Sequence, residues 1–166
     1  MESITIRNII IRPVLESDTA SIVEILRSTG WFGHLETGDP IETQCRVQRH
    51  IQLCISDNSH SIFVAENAFS SLVGYASVHW LPYLFLTGPE GYISELFVDT
   101  DSRGMGIGRK LLEAIRNEAK LRYCSRLMLV TSRTRESYMR EFYLKEGWSE
   151  RKEVANFVFN ELNNGS

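Results

Sequence analysis

The segment RGMGIG, at residues 103–108, combines bare backbone with positive charge in a way that suits an anion. Its three glycines alternate, one arginine precedes them, and Arg-Lys follows them. Glycine has no Cβ, so a ligand can approach the main chain closely. Where such a turn opens a helix, several backbone N–H groups and the helix dipole point at one place. The segment therefore predicts a phosphate-binding turn.

The glycine spacing does not match two common phosphate motifs. Gly108 is followed by Arg-Lys-Leu, whereas a P-loop continues with Lys-Ser or Lys-Thr. The dinucleotide fingerprint needs G-x-G-x-x-G and an acidic residue about 20 positions further on, and neither is present. A plain tight turn between a strand and a helix remains the structural alternative.

The surrounding sequence predicts alternating elements that would position this turn. Apolar and polar residues alternate as in strands, or recur with helical spacing, and turn residues separate the segments. We predict strands at residues 4–12, 61–66, 72–80, 92–98, 126–131 and 148–159, and helices at residues 18–29, 40–56, 105–123 and 135–146. The fold class is α/β, with a central mixed, mostly antiparallel sheet flanked by helices.

Local signals support several of these helices. Ser17 or Asp18 would cap the first, and Asp39 before Pro40 is a good start for the second, after a loop formed by WFGHLETG. The helix after the glycine turn presents its core face through Leu111, Leu112, Ile115 and Ala119.

Length and composition favour one domain over residues 1–166, of a size that can bury a proper core. The N-terminal residues lack the apolar run that a signal peptide or membrane span needs, so we expect a soluble, cytoplasmic protein with no membrane partner. Three widely spaced cysteines and four histidines without ligand spacing predict neither a disulfide framework nor a metal site. Residues 1–100 are acidic overall, whereas residues 101–126 are basic.

Two segments resemble one known family. The pattern Arg103-x-x-Gly106-x-Gly108, preceded by ISELFVDTDS and followed by RKLLEAI, resembles the acetyl-CoA signature of the GNAT superfamily of N-acetyltransferases. EFYLKEGW, at residues 141–148, is similar to that family's later segment, in which an aromatic-Tyr pair lies on a helix that ends at a glycine. The order of predicted elements also matches the family's fold over essentially the whole chain.

The resemblance implies that acetyl-CoA is the cofactor. Backbone N–H groups of the glycine turn would hold the pyrophosphate of coenzyme A, and the pantetheine arm would lie against an exposed strand edge where a bulge opens the sheet. One N–H of that strand would polarise the thioester carbonyl. The implied cofactor-binding residues are Leu96, Phe97, Val98, Arg103, Gly104, Met105, Gly106, Ile107, Gly108 and Arg109.

Glu95 is the candidate general base for an amine nucleophile. In a regular strand it shares a face with Ile93 and Phe97, and an apolar setting raises the pKa of a carboxyl group towards neutrality. The alternatives are a structural ion pair at Glu95, or a base role for Tyr92, Ser94 or His79.

Tyr143 is the candidate general acid, because it matches the tyrosine of the family's later motif. A phenol is a good proton donor to the departing thiolate. The alternatives are simple packing against Met139, one helical turn away, or a donor role for Tyr138. The family commonly has Asn seven residues before this tyrosine, whereas this chain has Glu136.

Two aromatic-rich loops would form the acceptor site, namely WFGHLETG and LPYLFLTGPEG. They suit an apolar or cationic acceptor, and the candidate substrate-binding residues are Trp31, Phe32, His34, Trp80 and Tyr83. The resemblance implies direct transfer of acetyl from acetyl-CoA to a primary amine of a small molecule or peptide, without a metal. A non-catalytic acyl-CoA binding or sensing module is the alternative; nucleic acid is not an expected partner because the net charge is negative. A homodimer is one possible assembly.

Overall fold

The computed structural model describes residues 8–159 and contains one five-stranded sheet. Its strands are β1 (Ile10–Pro13), β2 (His60–Glu66), β3 (Leu72–Leu81), β4 (Glu90–Val98) and β5 (Arg126–Leu129). The strands lie side by side in chain order, with β1 to β4 antiparallel and β5 parallel to β4. The predicted mixed, mostly antiparallel sheet is confirmed. The first residues of the predicted strand 4–12 lie outside the described part.

Four helices belong to the same compact unit as the sheet, which extends to Val130. They are α1 (Thr19–Ser28), α2 (Gly33–Thr37), α3 (Pro40–Ile55) and α4 (Ile107–Leu121). Asp39 caps α3 as predicted, because its carboxylate accepts a hydrogen bond from Ile41 N at 2.8 Å.

The prediction of a plain loop at WFGHLETG was wrong, since α2 lies within it. The buried side chain of Leu35 anchors this short helix in the core. Arg27 Nε holds it from outside by donating to Leu35 O at 3.0 Å. A single apolar residue in five gives too weak a periodic signal to predict a helix.

The helices cover both faces of the sheet. On one face α4 packs with the predicted core residues, and Leu111, Leu112 and Ile115 are fully buried. Gly74 on β3 allows this close approach, because a Cβ there would lie 3.2 Å from Ile107. On the other face α1, α2 and α3 form a second core with β2 and β3, which includes Ile22, Ile25, Leu26, Leu35, Ile51, Ile62, Val64 and Tyr75.

A buried ion pair joins β1 to the start of α1. Arg12 Nη1 and Nη2 donate to the two carboxylate oxygens of Asp18 at 2.8 and 2.9 Å, and Arg12 Nε donates to Glu66 at 2.7 Å. Asp18 also accepts from Leu15 N, so its side chain does not cap the helix as predicted. The Arg12 guanidinium holds the pKa of Asp18 below its usual range.

Among the described residues, 131–159 form a second compact unit. It contains α5 (Glu136–Met139) and α6 (Phe142–Lys145), so the predicted single helix over residues 135–146 was wrong. The break is at Glu141, which adopts the left-handed conformation with φ of 58°. That conformation interrupts the ladder of helical hydrogen bonds, and a non-glycine residue gives little warning of it in sequence.

The predicted strand at residues 148–159 is also absent from the described residues. Its apolar side chains are largely exposed, with Phe157 92% accessible. A strand needs hydrogen bonds from a neighbouring strand, whereas the backbone bonds described in this segment are local, from Trp148 N to Tyr143 O and from Val154 N to Arg151 O. Alternation of side chains alone therefore gave the wrong prediction.

Candidate active site

A β-bulge in β4 determines which face carries the candidate base. Ile93 pairs with Val78, and Glu95 pairs with the adjacent residue Ser77, so Ser94 is an extra residue with no partner in the β3 register. Neighbours on a strand point to opposite faces. The expectation that Glu95 shares a face with Ile93 was therefore wrong, whereas it does share one with Phe97, which pairs with Tyr75.

Glu95 lies on the face covered by α1, α2 and α3. Tyr75 donates a hydrogen bond from its hydroxyl to the Glu95 carboxylate. Burial raises the pKa of Glu95 above its usual range, and the hydrogen bond from Tyr75 opposes this in part. A partly buried carboxylate with a raised pKa, on the open end of a strand, is suited to accepting a proton.

An aromatic cluster adjoins Glu95. The ring of Phe97 lies 5.8 Å from Trp31, 5.7 Å from Phe32 and 5.7 Å from Tyr75, measured between centroids. Tyr75 is buried, whereas Trp31 is 42% exposed. The cluster thus forms a wall that is anchored in the core and open to solvent at Trp31.

Trp80 does not belong to this wall. β3 continues through it to Leu81, and Trp80 is buried on the opposite face, where its Nε1 donates to Ser61 Oγ at 3.0 Å. The Arg122 guanidinium covers its ring at 4.9 Å. The prediction that Trp80 binds substrate is therefore corrected, because its side chain is a structural anchor for the end of α4.

His34 and Tyr83 are exposed at the surface in separate places. His34 lies on α2, with its ring 6.2 Å from Phe32, so it is at the margin of the aromatic wall. Tyr83 lies in the loop before β4 and contacts Phe85 at 5.5 Å. Among residues 8–159 no described contact joins Tyr83 to the wall.

β4 and β5 separate just beyond the start of β4. They pair from Glu90 with Arg126 to Ile93 with Leu129, and the buried Glu90 carboxylate is ion-paired with Arg126. Within the described residues no strand pairs with residues 94–98 on that side. The backbone of Leu96, Phe97 and Val98 therefore has an open edge next to Glu95.

The glycine turn lies between the end of β4 and α4. Gly104 and Gly106 have φ of 79° and 76°, and a Cβ on either would meet nothing within 4 Å. Glycine is needed there for backbone conformation, and the space beside the turn is open. α4 begins at Ile107, so the first N–H groups of a 15-residue helix lie next to this turn. Met105, Gly108 and Arg109 are the remaining predicted cofactor-binding residues at this turn.

Arg103 connects this turn to the aromatic wall. Its Nε donates to Val98 O at 3.4 Å, and its guanidinium lies 5.6 Å from the centre of the Trp31 ring. A cation above an aromatic face is attracted by the ring's negative charge. The residue therefore contacts both the end of β4 and the loop that precedes α2.

Tyr143, the candidate acid, lies on α6 in the second unit. Its ring contacts Phe142 at 5.1 Å and Trp148 at 6.4 Å, and burial raises its pKa above the usual range. Tyr138 is engaged elsewhere, because its hydroxyl donates to Glu150 at 3.2 Å. Gly147, with φ of 83°, ends this helical segment as the motif predicts.

Sequence reasoning missed a histidine next to the site. His60 at the start of β2 is the cross-strand partner of His79 on β3, and their ring centroids are 4.3 Å apart. The hairpin joining these strands was predicted, but counting back from its turn pairs His60 with Val78 and not with His79. A bulge at Ala65 and Glu66 shifts that register, which is why counting back from the turn does not reveal the pair.

A comparison with models of known protein families identifies the family of this chain. The model of the acetyltransferase (GNAT) family matches residues 24–148, so the chain belongs to this family of enzymes, which generally use acetyl-CoA. Among curated protein sequences, none matches the chain at a significant level.

Solved structures show the same fold. A transcriptional regulator from Bacillus halodurans C-125 is 25% identical, with a TM-score of 0.79 over 92% of this chain and 100% of that one. Glucosamine-6-phosphate N-acetyltransferase from Arabidopsis thaliana is 25% identical, with a TM-score of 0.73 over 93% and 100%. An aminoglycoside acetyltransferase from an uncultured soil metagenomic sample is 20% identical, with a TM-score of 0.73 over 92% and 95%. No described helix is long and apolar enough to cross a membrane.

Proposed function

We propose that this protein transfers an acetyl group from acetyl-CoA to a primary amine of a small molecule or peptide, by direct attack within a ternary complex. The observation that carries the proposal is the position of Glu95, a carboxylate of raised pKa at the point where β4 loses its β5 partner. The family match runs across Val130, which supports treating residues 1–166 as one acetyltransferase domain.

The open edge and the glycine turn fit the cofactor. The backbone of Leu96, Phe97 and Val98 offers hydrogen-bonding groups to the peptide-like pantetheine arm. The turn from Gly104 to Gly106 has free space beside it and a helix start behind it, as a diphosphate requires. Arg103 and Arg109 add positive charge. Acetyl-CoA would supply the acetyl group as an activated thioester.

Glu95 would act as general base, and Tyr143 as general acid. The raised pKa of Glu95 makes it a stronger base than an ordinary carboxylate, so it can take a proton from the attacking nitrogen. The raised pKa of Tyr143 keeps its phenol protonated at neutral pH, as a donor to the thiolate must be. The role of Tyr143 rests on its motif position.

The aromatic wall would receive the acceptor. Trp31 and Phe32 present ring surface close to Glu95, with His34 at the margin. Aromatic faces next to a carboxylate favour a cationic or partly apolar amine. The names of two solved structures give glucosamine-6-phosphate and aminoglycosides as substrate classes, and we would test these amines first.

Thermal stability with and without acetyl-CoA, followed by thiol release with a panel of amines, tests the proposal. The panel contains amino sugars, aminoglycosides, polyamines, amino acids and peptides. We expect a rise in melting temperature with acetyl-CoA, and release with one amine class. A rise without release from any amine would favour a non-catalytic acyl-CoA sensor, and no rise would contradict cofactor binding.

A further inference from the structure

A serine and a histidine form a hydrogen-bonded pair beside Glu95. Ser94 Oγ and His79 Nε2 are 2.8 Å apart, and Ser94 is the extra residue of the bulge. Ser94 is exposed, and its hydrogen bond to His79 places its hydroxyl on the face of the sheet that carries Ser77 and its partner Glu95. His79 is half-buried behind it. The Ser94 hydroxyl and the Glu95 carboxylate therefore belong to adjacent residues on one face of the sheet.

A second histidine supports the first. The His60 ring stands edge-on to His79 at 4.3 Å, and His60 Nδ1 lies 2.6 Å from Ser59 Oγ. Ser59 is held in turn by Asp57, which accepts hydrogen bonds from its backbone N–H and its hydroxyl. This row of side chains fixes the His60 ring against His79.

We propose that Ser94 and His79 are a second proton acceptor for the reaction, next to Glu95, and that His60 is a positioning residue that keeps His79 Nε2 available as an acceptor. The inference rests on the proposed acetyl transfer to an amine. It assigns a role to His60, Ser59 and Asp57, which the transfer itself does not use.

The proton balance explains why two acceptors are useful. A primary ammonium ion, R–NH₃⁺, loses one proton to become the attacking amine and a second when the N–C bond has formed and the C–S bond breaks. Ser94 Oγ would take the first proton and pass its own to His79 Nε2, which forms an imidazolium that releases the proton to water. Glu95 takes the second, and the thiolate is protonated by the general acid, so one proton is released per turnover.

The surroundings of His79 favour its neutral, accepting form. Burial lowers the pKa of His79, and the neighbouring charge of His60 lowers it further. Other titratable groups on this side of the sheet include Tyr92 and Glu95 on β4, Tyr75 on β3, Arg46 and Cys54 on α3, and Asp57 in the turn before β2. A lowered pKa of His79 favours the neutral ring, and in the tautomer that carries its proton on Nδ1 the Nε2 atom can accept the Ser94 proton.

The pH dependence of kcat/KM for Ser94→Ala tests the relay. We expect the wild-type value to level off above the lowered pKa of His79. In the variant the amine must lose its proton in water, so kcat/KM should fall about 100-fold at pH 7 and recover to within about twofold near the amine pKa of about 10. Ser94→Thr keeps a hydroxyl and should restore most of the activity at pH 7.

His60→Gln provides the readout for positioning. It removes the neighbouring charge, so the acidic limb of the profile should move to higher pH while the rate at pH 8 changes little. Nitrogen-15 NMR of the ligand-free protein follows the same group without turnover, and should show His79 Nε2 unprotonated at pH 7 and a higher His79 pKa in His60→Gln. His50→Gln, on the exposed side of α3, is the matched control and should leave both measurements unchanged.

The outcomes separate this inference from the proposed function. Wild-type turnover together with a Ser94→Ala loss that is equal at every pH, or with no loss, overturns the relay and leaves the transferase intact. A protonated Nε2 at pH 7 overturns it as well. Absence of turnover with every amine overturns both proposals.

Discussion

The hydroxyl of Tyr75 on β3 donates a hydrogen bond to the carboxylate of Glu95 on β4, on the face of the sheet that carries the aromatic wall. Tyr75 is itself buried, so this donor cannot be replaced by water without opening the core. The bond partly compensates the cost of an ionised carboxylate in an apolar setting. The charge of ionised Glu95 therefore lowers the stability of the folded state, whereas its raised proton affinity suits a general base.

Replacement of Glu95 by Gln should have opposite effects on rate and stability. Loss of the base should lower kcat about 100-fold at pH 7, measured by thiol release. The amide can still accept from Tyr75 and carries no charge to desolvate. We expect the melting temperature at pH 8 to rise. Replacement of a residue that is kept for function often stabilises a protein in this way.

The rise in melting temperature of Glu95→Gln should depend on pH, because the pKa of Glu95 is raised in the folded protein. A carboxyl group with a raised folded-state pKa contributes stability below its unfolded pKa, and loses that contribution as pH rises through the folded value. The gain in Glu95→Gln should therefore be full at pH 8 and vanish below about pH 4. A gain that is constant with pH would contradict a desolvated carboxylate.

Substitution of Gly106 by Val should abolish acetyl-CoA binding. The φ of 76° at this position strains any residue with a branched Cβ, by about 1–2 kcal/mol, and the side chain would occupy the space beside the turn. Isothermal titration with acetyl-CoA measures the loss. Gly33→Ala is the control, because its Cβ meets nothing within 4 Å and its φ is not positive; equal affinity losses in both variants would refute a specific role for the turn.

Tyr143→Phe should slow turnover and leave the affinity for acetyl-CoA within about twofold, because only the donated proton is lost. Tyr138→Phe is its matched control, since that hydroxyl is bound to Glu150. Steady-state kinetics and titration calorimetry of both variants make the test. Unchanged kcat in Tyr143→Phe would remove Tyr143 from the mechanism.

Asp18→Asn should destabilise the protein by about 2 kcal/mol at pH 7, because Arg12 loses its buried partner. Asp18 has a lowered pKa, so its contribution is present above the unfolded pKa and lost as pH falls through the folded one. Urea unfolding at pH 7 and at pH 3 should show the difference shrinking. Glu16→Gln, at an exposed neighbouring carboxylate, should change little at either pH.

Elements with strong local signals could be predicted from the sequence. The glycine turn, the core face of α4 and the cap at Asp39 each depend on residues a few positions apart, so sequence spacing describes them well. The placement of Phe97 and Glu95 on one face also follows from simple strand alternation.

Features that depend on distant partners could not be predicted. The bulge at Ser94 separates the faces of Ile93 and Glu95, and only the pairing with β3 reveals it. Trp80 was predicted at the end of a strand, next to an aromatic-rich loop, and therefore as a substrate-binding residue, yet it is buried against Ser61 and Arg122. Glu141 breaks a helix by one backbone torsion angle, which leaves no pattern in residue type.

The separation of β4 from β5 leaves an open strand edge, where this protein could aggregate. Within residues 8–159, no strand pairs with residues 94–98 on the β5 side, and an open strand edge of this kind can pair with an extended segment of another chain. A bound pantetheine would cover that stretch and slow its amide hydrogen exchange. If acetyl-CoA binds as proposed, resistance to aggregation should rise with its concentration, because a ligand that binds the folded state stabilises that state.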